Sequence, residues 1–300
     1  MTDSVPAAAA QRRRATLIGA IAILLWASLA LFTALTPSLP ALQVNAMSFT
    51  IAALAALILW LARGENPLRH LRQPPLAWAL GVAGLLGYHA LYFLALKLAP
   101  PLEASLINYL WPLLIVVFSG LLPGERLRWF HLAGVVLGLA GTVNLVLGKG
   151  DVAFEGRHLA GYAAALAAAL TWSSYSVLSR RFASVPTDAV GGFCAATAAL
   201  SWLLHFAFEQ SVWPADLTEW LAVLGLGLGP VGLAFFCWDH GMKRGDIRAL
   251  GSMAYAAPLL STLLLLAFGQ GEARWQVALA CALIVAGALL GTGDLRAKRR

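Results

Sequence analysis

The sequence predicts an all-α, polytopic membrane protein whose ten transmembrane helices form a five-plus-five inverted repeat. Three observations lead to this prediction: composition, a series of apolar runs, and an internal repeat. Of the 300 residues, 60% are hydrophobic and 12% are charged, whereas soluble proteins carry about 25% charged residues. The mean hydropathy is +0.76. This composition leaves almost no room for a soluble domain.

Ten apolar runs follow one another along the chain with short connections. Each is close to the ~20 residues that an α-helix needs to cross a bilayer. The run that follows the basic start of the chain is too long for a signal peptide and is taken as the first span. The runs cover residues 15–35, 43–62, 76–96, 103–122, 129–147, 159–179, 188–208, 217–242, 249–269 and 274–292.

The positive charges are distributed unevenly between the two sides of such a protein. With ten spans, all 21 Lys and Arg residues lie on the side of the N-terminus except Lys97, Lys149, Arg157 and Arg274. The positive-inside rule then places both termini in the cytoplasm. We therefore predict a cytoplasmic N-terminal tail at 1–14 and a basic cytoplasmic tail at 293–300.

The chain repeats itself at a fixed offset of 146 positions. Rare residues coincide without a gap: Trp26 with Trp172, Lys97 with Lys243, Tyr109 with Tyr255, and Pro112 with Pro258. The repeats are 15–147 and 159–292, joined by a linker at 148–158. Because five spans are an odd number, the second repeat enters the membrane from the opposite side, as in many secondary transporters.

The fourth span carries polar and aromatic residues where a lipid-facing helix would be apolar. Asn-Tyr-Leu-Trp-Pro occupies 108–112. Pro112 has no N–H, so the carbonyl of Asn108 loses its helical partner and must face protein, water or a ligand. We interpret this face as a wall of a binding cavity, with the ninth span, carrying Tyr255 and Pro258, opposite it. The alternative is that such residues only shape helix packing.

Two stretches resemble a known family. The start Ala-Thr-Leu-Ile-Gly-Ala-Ile-Ala-Ile-Leu-Leu-Trp (15–26) and Asn-Tyr-Leu-Trp-Pro (108–112), within ten spans, resemble the drug/metabolite transporter superfamily in its EamA branch. The resemblance implies a location in the bacterial inner membrane. It also implies an exporter of aromatic and other neutral amino acids, working by alternating access, with a cavity enclosed mainly by helices other than the fifth and tenth. The alternative is an exporter of other small metabolites or drugs.

Candidate substrate-binding residues are the polar and aromatic side chains at membrane depth. Aromatic faces suit a substrate ring and an ammonium, while hydroxyls and amides suit a carboxylate. The candidates are Trp26, Ser28, Tyr88, His89, Tyr92, Asn108, Tyr109, Trp111, Trp172, Ser173, Tyr175, Ser176, Trp238 and Tyr255. Candidates for helix breaks or gating are Pro112, Pro258, Gly229 and Pro230.

Ionisable groups within the spans are few. An interfacial Asp239–Lys243 pair at i, i+4, near the cytoplasmic end of the eighth span, is the favoured interpretation. Proton exchange through His89 or Asp239 is a hypothesis, with a packing role for His89 as its alternative. Gly134, Gly138 and Gly141, with Gly287 and Gly291, predict close helix contacts, either between the fifth and tenth spans or between the protomers of a homo-oligomer.

Other function classes are disfavoured. The sequence shows neither the acid pairs nor the nucleophile–base sets of a membrane-embedded enzyme. Cys194, Cys237 and Cys281 lie in apolar runs without ligand-like spacing, so we expect no metal and no cofactor. The net charge of +7 reflects membrane orientation, and no nucleic-acid partner is expected. The predicted partners are a small-molecule substrate and the lipid bilayer.

Overall fold

The computed structural model describes residues 4–148, 150, 152–267 and 275–292. Within these residues, every regular element is helical, as the sequence predicts. The predicted basic tail at 293–300 lies outside the described residues. The helices of the first half are α1 (Ser4–Ala27), α2 (Leu29–Ala34), α3 (Ala41–Ala62), α4 (Pro67–Leu71), α5 (Pro75–Val82), α6 (Tyr88–Leu98), α7 (Pro101–Asn108), α8 (Trp111–Ser119) and α9 (Trp129–Leu147).

The second half repeats this order. Its helices are α10 (Leu159–Leu178), α11 (Ala189–Phe208), α12 (Leu217–Leu228), α13 (Ala234–Arg244), α14 (Ile247–Ala254), α15 (Ala256–Ala267) and α16 (Trp275–Gly291). Two π-helical segments, Ala83–Gly87 and Gly229–Leu233, join α5 to α6 and α12 to α13. Short 3₁₀ turns occupy Gly156–His158 and Ser179–Phe182.

Eight helical stretches of the described chain are long and apolar enough to cross a membrane. They are Ala8–Ala34, Ala41–Ala62, Pro75–Leu98, Pro101–Ser119, Trp129–Leu147, Ala189–Phe208, Leu217–Arg244 and Ile247–Leu264. The other two predicted spans coincide with α10, whose last two turns are rich in serine and aromatic residues, and with α16, which has 17 residues. The chain is therefore a multi-pass membrane protein, and the count of ten spans stays a prediction.

Several spans are interrupted near their middle. The fourth span breaks after Asn108, and α8 starts again at Trp111. Pro112 lies in the first turn of α8, where a missing N–H costs no hydrogen bond. The ninth span breaks at Tyr255, and Pro258 lies in the first turn of α15. Each proline therefore follows its break by a few residues and starts the next helix.

The breaks recur at the offset seen in the sequence. Four pairs of elements begin 146 positions apart: Ala83 and Gly229, Tyr88 and Ala234, Pro101 and Ile247, and Trp129 and Trp275. The π-helical segments, which are rare in proteins, are one of these pairs. The sequence of each half thus specifies the same order of helices and interruptions.

The glycines of the fifth and tenth spans bring α9 and α16 together. A Cβ added at Gly134 would lie 2.7 Å from the carbonyl oxygen of Gly287, and one added at Gly287 would lie 2.5 Å from the carbonyl oxygen of Gly134. Only glycine permits this approach of two backbones. The face that was a candidate for contact between protomers is therefore occupied by contacts within the chain.

The remaining spans pack in reciprocal pairs around a central core. Helix α1 packs on α13 and α10 packs on α6, which are equivalent pairs under the repeat, while α3 packs on α11 and α8 on α14. Side chains from α1, α8, α10 and α13 meet at the centre, where Trp172, Tyr175 and Trp238 are buried. This arrangement places the interruptions of the third, fourth, eighth and ninth spans around the centre of the bundle.

Candidate binding cavity

A cavity of about 190 Å³ lies where the interrupted spans meet. One water molecule needs about 10–15 Å³ by the same measure, so the cavity is large enough for a small organic molecule. Its walls come from both halves of the chain. They consist of Trp26, Leu29, Ala30, Tyr88, His89, Tyr92, Asn108, Tyr109, Trp111, Trp172, Pro230, Val231, Phe235, Ala257, Pro258 and Ser261.

Tryptophan rings form the largest part of the wall. The ring centroid of Trp26 lies 6.2 Å from that of Trp111 and 5.7 Å from that of Trp172, both edge-to-face. Trp238 lies behind them, with its centroid 4.9 Å from that of Trp26. Edge-to-face pairs stabilise one another by about 0.5–1.5 kcal/mol beyond their burial. The rings are therefore held in place before any ligand enters.

One side of the cavity is polar. Asn108 Nδ2 donates to Tyr88 Oη at 3.1 Å, and the hydroxyls of Tyr92 and Ser105 are 3.1 Å apart. His89 Nδ1 lies 2.6 Å from the carbonyl oxygen of Leu85. Because a carbonyl only accepts, Nδ1 carries a proton, and in a neutral ring Nε2 would then be an acceptor. The third and fourth spans thus supply both donors and acceptors.

Aromatic side chains also satisfy backbone carbonyls at the interruptions. Trp26 Nε1 donates to the carbonyl of Pro230, in the second π-helical segment, at 3.0 Å. Tyr255 Oη donates to the carbonyl of Tyr109, at the break of the fourth span, at 3.1 Å. An unpaired carbonyl inside a bilayer costs several kcal/mol. These two hydrogen bonds help to explain how the breaks are tolerated at membrane depth.

The structure brings ten of the predicted residues to the cavity wall and leaves the others away from it. Ser28 donates to the carbonyl of Leu25 at 2.7 Å. Ser173 donates to the carbonyl of Trp111 at 2.9 Å. Ser176 accepts from the indole N–H of Trp238 at 3.0 Å. The predicted residues that do not line the cavity are Ser28, Ser173, Tyr175, Ser176, Trp238, Tyr255, Pro112 and Gly229.

Residue type along single spans did not reveal six of the lining residues: Leu29, Ala30, Val231, Phe235, Ala257 and Ser261. Most are apolar and look like ordinary lipid-facing or core positions. The repeat held a usable signal for four of them. Leu29 and Ala30 lie 146 positions before Tyr175 and Ser176, and Phe235 and Ala257 lie 146 positions after His89 and Trp111; all four partners were candidates.

The predicted ion pair of the eighth span is confirmed. Lys243 Nζ lies 2.8 Å from Asp239 Oδ1, and both side chains are buried. Thr187 donates to the second oxygen of Asp239 at 2.8 Å, and Lys243 also donates to the carbonyl of Val185. Neither charged residue lines the cavity. Within the described residues, no group of three His, Cys, Asp or Glu side chains is placed to hold a metal ion.

Comparison with known proteins identifies the class to which this fold and cavity belong. The model of the EamA-like transporter family matches residues 13–147 and again 159–292. The chain belongs to this family, as its resemblance predicts.

The aromatic amino acid exporter YddG of Ancylobacter novellus is 57% identical over 94% of this chain and 98% of its own length. The YddG of Escherichia coli K12 is 26% identical over 93% of this chain and 97% of its own length. A solved crystal structure, 56% identical, matches 95% of this chain and 99% of its own with a TM-score of 0.90.

Proposed function

We propose that this protein exports aromatic and other neutral amino acids from the cytoplasm, by alternating access through the cavity. The observation that carries the proposal is the cavity itself, with tryptophan rings on one side and the Tyr88–Asn108 polar edge on the other. The relatives named as aromatic amino acid exporters supply the substrate class.

The chemistry of the wall fits a zwitterion with a ring. Trp26, Trp111 and Trp172 offer edges and faces to an aromatic side chain. Aromatic faces also attract an ammonium, by about 0.5–2 kcal/mol depending on desolvation. Asn108 and Tyr88 can bind the carboxylate or the ammonium. Among the described residues that line the cavity, none is Lys, Arg, Asp or Glu, which suits a substrate without net charge.

Such a substrate needs no coupling ion to leave the cell. A zwitterion has no net charge, so the membrane potential, worth about 2.3 kcal/mol per charge per 100 mV, does not act on it. A concentration gradient is sufficient to drive efflux. Proton exchange through His89 or Asp239 would add to this; efflux that continues unchanged when the pH gradient is collapsed would exclude it.

The proposal includes a ten-span inverted repeat in the inner membrane with both termini in the cytoplasm. Its support comes from three sources. The family model matches each half separately. Equivalent elements begin 146 positions apart in both halves. The Lys and Arg residues are concentrated on the side that would then be cytoplasmic.

Efflux of labelled phenylalanine or tryptophan from proteoliposomes tests the function. Wild type should release the label faster than empty vesicles. Trp172→Ala should slow release by roughly 2–10-fold, the equivalent of one aromatic contact of about 0.5–1.5 kcal/mol, and Asn108→Ala should slow it as well. Trp213→Ala is the matched control, because Trp213 is 72% exposed and outside the cavity.

Three outcomes are distinguishable. Slowed release in both cavity variants with normal release in Trp213→Ala supports the proposal. If wild type does not release aromatic amino acids but moves another small metabolite or a drug, the substrate class is wrong. If no solute moves, the assignment as an exporter is wrong.

A further inference from the structure

Five charged side chains meet at the end of the helix bundle opposite the cavity. They are Arg12, Glu125, Arg180, Asp246 and Arg248, and we call them the ionic cluster. Arg12 and the cavity residue Trp26 are about 21 Å apart by helical rise along α1, and Arg180 and the cavity residue Trp172 are about 12 Å apart along α10. The cluster is therefore separated from the cavity by about two to four helical turns.

Glu125 is the centre of the ionic cluster. Its carboxylate lies 2.7 Å from Arg180 Nη1, 3.2 Å from Arg248 Nη2 and 3.5 Å from Arg12 Nη2. Arg12 also binds Asp246 at 3.0 Å. These residues come from α1, the loop after α8, the 3₁₀ turn after α10, and the start of α14. One small group of charges thus ties four separate segments together.

Main-chain contacts strengthen the same junction. Arg180 donates to the carbonyls of Met242 and Gly245, at the end of α13. Thr16 Oγ1 accepts from the backbone N–H of Asp246 at 2.8 Å. Burial lowers the pKa of the Arg180 guanidinium, while the nearby carboxylate of Glu125 raises it again. An arginine stays charged in this setting.

Buried apolar side chains fill the space between the ionic cluster and the cavity. Met242, Ile247 and Leu250 are fully buried, and Trp238 is only 1% exposed. We call these four residues the plug. A solute that entered from the cluster side would have to separate the plug, and the plug lies on helices whose ends the ionic cluster ties together.

The other end of the bundle has no equivalent set of charges in its sequence. Under the offset of 146, the members of the ionic cluster correspond in order to His158, Gly271, Ala34, Pro100 and Leu102. No acid is among these five residues, so these positions cannot form the ion pairs of the cluster. The two ends of the bundle are equivalent under the repeat, but they differ in the ion pairs that these positions can form.

We propose that the ionic cluster is the gate of its side, and that it makes the state open to the opposite side the more stable one. The inference rests on the alternating access proposed above. Opening the cluster side must separate partly buried guanidinium and carboxylate groups, which is unfavourable until water reaches them. On the opposite side, the five equivalent positions cannot form these ion pairs, so the two states are unequal in free energy.

Site-directed labelling tests the gate without any substrate. In a background where Cys194, Cys237 and Cys281 are replaced by serine, one reporter is Leu250→Cys in the plug and the other is Ser261→Cys on the cavity wall. A membrane-impermeant maleimide is applied to the plug reporter from the cluster side and to the cavity reporter from the opposite side. Labelling rates then report how often each side opens.

Glu125→Gln and Arg12→Gln are the gate variants. We expect Glu125→Gln to speed labelling of the plug reporter by about tenfold, as the population open to the cluster side rises, while labelling of the cavity reporter stays the same or slows. Arg12→Gln should speed labelling of the plug reporter by less, because the Arg12 side chain is 32% exposed. Asp188→Asn is the matched control: it breaks the exposed Arg63–Asp188 pair and should leave both rates unchanged.

The outcomes separate a gate from a purely structural role. Faster labelling of the plug reporter alone supports the proposal. Faster labelling of both reporters indicates local unfolding and overturns it, as do unchanged rates in both variants. Because no amino acid is used, a failure of the efflux assay leaves this result standing, and the two proposals can fail independently.

Discussion

Replacing Gly84 by alanine should destabilise the protein measurably. Gly84 lies in the first π-helical segment, against α10. An added Cβ would lie 2.5 Å from Tyr175 Cδ2 and 2.8 Å from Tyr175 Cβ, distances that real carbon atoms do not adopt. Tyr175 is only 4% exposed, so its ring cannot move away without displacing its neighbours. Overpacking of this kind costs about 1–3 kcal/mol.

Gly87→Ala is the matched control for this prediction. Its added Cβ would lie 3.6 Å from Thr171 Cγ2, an ordinary contact, so the variant should gain up to ~1 kcal/mol of helix propensity. Gly84→Ala gains the same and loses the packing term, which leaves it less stable than Gly87→Ala by about 1–3 kcal/mol. Thermal unfolding of the purified proteins in one detergent compares them, at roughly 2–4 °C per kcal/mol. A Gly84→Ala midpoint equal to or above that of Gly87→Ala would refute the close contact.

Two further predictions concern buried polar groups. Trp26→Phe keeps a ring in the cavity wall but removes the donor to the Pro230 carbonyl; the unpaired carbonyl should cost about 1–3 kcal/mol, and an unchanged thermal midpoint would contradict this. Lys243→Met leaves the buried carboxylate of Asp239 without its ion pair and should cost about 3–5 kcal/mol. Arg63→Gln, the control, breaks an exposed pair and should cost about 0–1 kcal/mol. Thermal unfolding compares it with Lys243→Met. Equal losses of stability in Lys243→Met and Arg63→Gln would show that burial does not determine the cost of breaking an ion pair.

The sequence predicted best those features that depend on local spacing. The pair of Asp239 and Lys243 follows from i, i+4 geometry on one helix, and the structure confirms it. The position of Pro112 predicted an interruption in the fourth span, because a missing N–H acts on the residues immediately before it. Its exact position, just before the first turn of α8, depends on packing around Tyr109 and was not predictable.

Which face of a span meets the cavity could not be read from residue type alone. Ser173 and Trp172 are neighbours in the chain, yet Trp172 lines the cavity and Ser173 donates to the carbonyl of Trp111 behind it. Phe235 was missed because an apolar ring in an apolar span carries no signal of its own. These distinctions depend on the packing of helices from both halves.

The ionic cluster shows a second kind of limit. Glu125 and Arg180 are far apart in the sequence, and a loop arginine contributes to membrane orientation whether or not it has a partner. The charge bias of the loops therefore concealed the fact that some of these charges bind one another.

Tyr109 and Tyr255, which the repeat makes equivalent, have different roles in the structure. Tyr255 is fully buried, and its hydroxyl donates a hydrogen bond to the carbonyl of Tyr109. Tyr109, by contrast, lines the cavity. After a duplication, one copy of a residue can keep the fold while the other becomes free to change. Relatives that handle different solutes should therefore vary at the position of Tyr109 and retain tyrosine at the position of Tyr255. Selection for transport would then act mainly on one position of the pair, and selection for folding mainly on the other.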